Sequence, residues 1–156
     1  MRILSLLAVT GGLLTAGPAT EAQAPKVVGN AKNGLALEGY DPVTYFTGAM
    51  PVKGNATFSA KHLGATYYFV SADHRDRFSS EPAKYAPQFG GYCGYGASRG
   101  YLASVDPEAY TIMNGRLILQ NSKKVLELWK KEPDARLKLA DSNWPAIVAR
   151  EGKSIP

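Results

Sequence analysis

The chain has 156 residues, 45% of them hydrophobic and 20% charged, with a net charge of +5 and a single cysteine. That balance excludes a disordered chain, and one cysteine excludes an internal disulfide. The positive charge is also too thinly spread, and too often beside acidic residues, for a nucleic-acid surface, so no nucleic-acid partner is expected.

The N-terminus reads as a targeting segment. Arg2 precedes the apolar run "ILSLLAVTGGLL", and Ala22-Gln23-Ala24 fits the small-x-small rule for cleavage before Pro25. Residues 1–24 are therefore expected to be a cleaved signal peptide, which places the protein in the periplasm or outside the cell. Interrupted by Gly11 and Gly12, the run falls short of the roughly 20 apolar residues of a membrane span, and a soluble, non-spanning protein is expected. From Pro25 onward the chain has the length of one domain with one core. The expected division is an extended arm over 25–38, a domain over 39–150 and a tail over 151–156.

In chain order, Asp41-Pro42 marks a turn and "VTYF" after it predicts a short strand over 43–46. "ATFSA" around Phe58 and "ATYYFVS" over 65–71 predict two more strands, joined through His62-Leu63-Gly64. Ser71 stands where an N-cap belongs, so a short helix is expected over 72–79, with one further helical turn in "EPAKYAP". "YTIMNGRLIL" predicts a hairpin about Asn114-Gly115, a dipeptide suited to a tight turn with both central φ angles positive. "SKKVLELWKKEP" predicts an amphipathic helix capped by Asn121 or Ser122. Two helical pieces, 134–140 and 144–150, are expected either side of "DSN" and Pro145. The fold class is α+β, a small antiparallel sheet covered by short helices.

"GYDPVTYF", "GATYYFVSADHRDRF" and "EPAKYAPQFGGYCGYG", in that order, resemble the YHS domain in its exported single-domain bacterial form. The resemblance spans Gly39 to Trp144 and implies a compact, treble-clef-like core and a metal-associated module of the kind found beside copper-transporting pumps and heavy-metal regulators. The metal-binding form of the family reads Asp-Pro-Val-Cys, whereas here Asp41, Pro42 and Val43 are followed by Thr44. Its second element reads Phe-Cys-Ser-x-x-Cys, whereas here Phe69, Val70 and Ser71 are followed by His74 at the later cysteine position.

Two chemistries are open to these residues. Cys93 sits in "GGYCGYGASRG", where glycines allow close approach of another segment; paired with His74 it would suit Cu(I) or Zn(II), with His62 as a third ligand. Against this, Cys93 reads equally as a small packed residue and His74 as part of a solvated helical turn. The same pair used as nucleophile and base, oriented by Asp73 or Asp76, lacks any accompanying catalytic signature. The chain reads as a binding protein rather than an enzyme, first for copper or a related soft ion held by Cys93 and His74, and alternatively as a metal-free ligand-binding or protein-interaction module that has lost the family's thiols. The tyrosines, Tyr67 and Tyr92 among them, either fill the core or line a pocket for a small ligand. The expected partners are a metal ion or a small ligand, together with an unidentified envelope protein.

Overall fold

The computed structural model describes residues 26–27 and 30–154, with side chains over 30–152. The proposed signal peptide lies outside the described residues. The strands are β1 (Lys26–Val27), β2 (Ala31–Lys32), β3 (Leu35–Ala36), β4 (Asn55–His62), β5 (Ala65–Phe69), β6 (Asp106–Met113), β7 (Arg116–Gln120) and β8 (Lys153–Ser154). Between and after them come α1 (Ala72–Ser80), α2 (Pro82–Tyr85), α3 (Gly94–Ser98), α4 (Lys123–Lys130) and α5 (Pro133–Glu151). The expected α+β class is what the structure has. Its largest sheet runs β2-β3-β5-β4, antiparallel except for a single parallel pairing of Leu35 with Thr66.

Local chemistry explains most of these elements. Ser71 Oγ accepts from His74 N–H at the start of α1, and Ser122 Oγ from Val125 N–H at the start of α4, each satisfying a donor left over by the first turn. The β6–β7 hairpin turns on Asn114 and Gly115, both at positive φ as expected.

Two expectations, the strand over 43–46 and the break at Pro145, are corrected. Thr44–Phe46 is a 3₁₀ turn, not a strand, because the Thr44 hydroxyl donates to the Asp41 carbonyl and accepts from Val52 N–H, curling the segment back. Within the proposed arm, β2 and β3 form a hairpin about Asn33-Gly34 and join the main sheet, and within the proposed tail Lys153–Ser154 pairs with Lys26–Val27. Pro145 does not divide two helices. It lies inside α5, where both Pro145 and Asp141, whose carbonyl loses its bond, are exposed to water.

The interior has two clusters with β7 between them. Leu117 and Leu119 join Tyr45, Phe69 and Phe78, while Ile118 joins Trp129, Ala97 and Ile147. A strand's period of two turns alternate side chains to opposite faces, and both faces of β7 are covered, so its four residues from Leu117 to Gln120 are all buried. Gln120 falls on the same face as Ile118, which sets it beneath the segment carrying Cys93.

Candidate functional site

His74 and Cys93 each have partners of their own. On α1, His74 Nδ1 lies 2.7 Å from Asp41 Oδ2, and that carboxylate has no exposure to water. Asp41 also accepts from Val43 N–H at 2.8 Å and from Val70 N–H at 2.9 Å. One buried side chain thus ties the loop after β3, the end of β5 and the first turn of α1 together. The neighbouring carboxylates do not orient the imidazole: Asp73 pairs with Arg77, and Asp76 with Arg75.

Cys93 is 2% exposed. Its thiol donates to Gln120 Oε1 at 3.4 Å, its sulfur accepts from Gly96 N–H at 3.5 Å as the cap of α3, and its own N–H donates to the Ala103 carbonyl. Gly94, next to it, does serve close approach, but to β7 and α4 rather than to α1. A Cβ on Gly94 would stand 2.5 Å from Ile118 Cγ2 and 3.2 Å from Trp129 Cζ3. Among the described residues, no group of three or more His, Cys, Asp and Glu side chains is placed to hold a metal ion.

The other histidine leads elsewhere. His62 ends β4 and lines a cavity of about 180 Å³ that reaches from the β4–β5 turn to α5. Tyr67 and Ala65 supply the wall from the sheet, Trp144 and Val148 the wall from α5, and Leu37, Ala86 and Pro87 line it together with Gly90 and Gly91. The walls are mostly apolar, and no Asp, Glu, Lys or Arg contributes to them. An apolar cavity of about 150 Å³ already admits benzene, so the space is of ligand size.

Two unusual backbone stretches shape this cavity. Leu37, Glu38 and Gly39 all have φ between 51 and 85°, and Phe89, Gly90 and Gly91 all lie between 53 and 79°. Left-handed conformations cost an L-residue roughly 1–2 kcal/mol each and normally occur singly. Here two runs of three reach the same space, through Leu37 in the first and Gly90 and Gly91 in the second, and Leu63 beside His62 adds another bulky residue at φ 47°. The second run aims the Gly90 and Gly91 carbonyls at Asn30, which donates to them from its backbone and side-chain nitrogens at 2.7 and 3.0 Å. Asn30 and Leu37 also border a second, more polar cleft beside Lys32 and Ser104.

No family model, curated protein or solved structure matches this chain. The site is therefore read from its own chemistry. Burial lowers the pKa of His62 below its usual 6.5, and burial pushes Tyr67 up to about 12. Both groups are neutral near pH 7 as a result. Of the tyrosines, Tyr67 lines the cavity and Tyr92 the polar cleft, whereas Tyr45 is buried with its hydroxyl donating to the Pro107 carbonyl. Asp41, Leu37 and Trp144 had drawn no functional expectation. Among the basic residues near the C-terminus, Lys130 is exposed and paired with Glu127, whereas Arg136 is partly buried, stacked over the Tyr95 ring and paired with Glu132. No helix among the described residues is long and apolar enough to cross a membrane.

Proposed function

We propose that this chain is an exported, YHS-like binding module that takes a small molecule into the cavity between the β4–β5 turn and α5, and that it performs no reaction of its own. The observation that carries the reading is that the left-handed runs at Leu37–Gly39 and Phe89–Gly91 reach one and the same space, the first through Leu37 and the second through Gly90 and Gly91. Strained backbone persists where the surroundings over-determine it, and it concentrates at ligand sites. A largely apolar pocket with a few polar groups is the usual form of a small-molecule site.

The copper reading has less support from the geometry. Cys93 is buried against β7 and occupied as a helix cap, so a soft ion would have to displace the hydrogen bonds of its thiol. The bond from His74 Nδ1 to Asp41 leaves Nε2 able to ligate, but no group of three or more His, Cys, Asp and Glu side chains among the described residues is placed around it. The experiment is a ligand-observed NMR screen of the protein from Pro25 onward, run beside an anaerobic Cu(I) titration against a competing chelator. Saturable binding of a small molecule that is lost in the cavity-filling variant Ala86→Leu, with no Cu(I) held above the chelator, is the expected outcome. One-to-one Cu(I) binding that disappears in both Cys93→Ser and His74→Ala, with no small molecule bound, would replace this reading with a metal carrier.

A further inference from the structure

We infer that the cavity selects an uncharged molecule about the size of a six-membered ring and carrying one hydroxyl, read by His62 and Tyr67; this rests on the cavity being a ligand site. Size sets the first limit, since about 180 Å³ holds one ring with a short substituent and little more.

Charge sets the second. No ionised side chain lines the cavity, and the polar side chains present are those of Asn30, His62, Tyr67 and the Trp144 indole. A carboxylate or an ammonium entering there would give up its hydration without meeting a counter-charge. A neutral molecule gives up far less.

Unmet hydrogen-bonding capacity sets the third. Asn30 commits one of its two side-chain N–H groups to the Gly91 carbonyl, which fixes how its amide is turned. By contrast, burial alone shifts the titration of His62 and of Tyr67, and neither makes a side-chain hydrogen bond to another described residue. A neutral imidazole offers one donor and one acceptor, and a phenol hydroxyl offers both. A ligand hydroxyl can therefore donate to one and accept from the other. The aromatic rings of Tyr67 and Trp144 supply flat apolar surface for the ring that carries it.

The test titrates the protein with phenol, toluene and benzoate at pH 7.5 by calorimetry, in wild type, His62→Phe and Ala86→Leu, with circular dichroism to confirm that each variant is folded. Phenol is expected to bind about ten- to a hundredfold more tightly than toluene, the worth of two hydrogen bonds, and benzoate at least about a hundredfold more weakly than phenol. In His62→Phe the advantage of phenol over toluene should fall by about five- to tenfold, the share of one bond, while toluene still binds, and in Ala86→Leu all binding should vanish. Should toluene or benzoate match phenol in wild type and be lost in Ala86→Leu, the cavity stands as a site and the proposed selectivity is wrong. Should none of the three bind, or should binding survive in Ala86→Leu, the cavity itself is not the site.

Discussion

Taking away the His74 imidazole would leave the Asp41 carboxylate shut away from water with two backbone donors in place of three partners. A hydrogen bond to a charged group is worth about 1.5–3 kcal/mol, so His74→Ala should lower stability by about 2 kcal/mol, read from urea denaturation of metal-free protein. A residue serving only as a metal ligand would leave the stability of the metal-free protein unchanged. His62 makes a different prediction. Its pKa is lowered in the folded protein by burial, so the unfolded chain binds the proton more readily. Stability from this group is complete above the unfolded value of about 6.5 and declines as pH falls through it. In His62→Phe that part of the decline between pH 7 and pH 5 should be missing from the denaturation midpoints, and an identical slope in the variant would mean that His62 titrates alike in both states.

At the scale of the element, strain in the left-handed runs is open to direct measurement. Glu38 has φ 51°, its side chain is exposed, and the residue after it is a glycine. Glycine reaches that conformation without the Cβ clash but loses more freedom on folding. The balance predicts that Glu38→Gly stabilises the protein by roughly 0.5–1 kcal/mol, again by urea denaturation. A loss of stability instead would show that the run is not strained at that position.

The same runs explain what could and could not be read from the chain. Caps and tight turns were legible because their chemistry is local: Ser71, Ser122 and Asn114-Gly115 act within a few residues of themselves. Asn33-Gly34 carries the same turn signal as Asn114-Gly115, but its flanking strands of two residues are too short for alternation to show. "VTYF" has the composition of a strand and curls because Thr44 and Asp41 offer its backbone other partners. Leucine and phenylalanine have no local preference for positive φ, so Leu37 and Phe89, and with them the cavity, depend on contacts made far along the chain. His62 was noticeable as a histidine, but its setting between two distant segments was not.

For the molecule as a whole, β7 is the shared wall of both cores. Ile118 is wholly buried against Trp129, and the leucines on either side of it are wholly buried in the other cluster. Shifting the strand for one core shifts it for the other. Ile118→Ala should cost about 2–5 kcal/mol, and the loss should appear equally in the fluorescence of Trp129 and Trp144, which pack in one core, and in far-ultraviolet circular dichroism, which reports secondary structure throughout. Separate transitions from the two probes would mean that the cores unfold independently.

The pairing of β1 with β8 carries a further consequence for handling the protein. Lys26 lies opposite Ser154 and Val27 opposite Lys153, so the chain enters and leaves the fold side by side. A short linker can join those two points, and fresh ends can be opened at the exposed tip of the β6–β7 hairpin, between Asn114 and Gly115. The result would be a circularly permuted chain with the cavity walls uncut, ready to be spliced into a loop of a fluorescent host so that filling the cavity is reported as light.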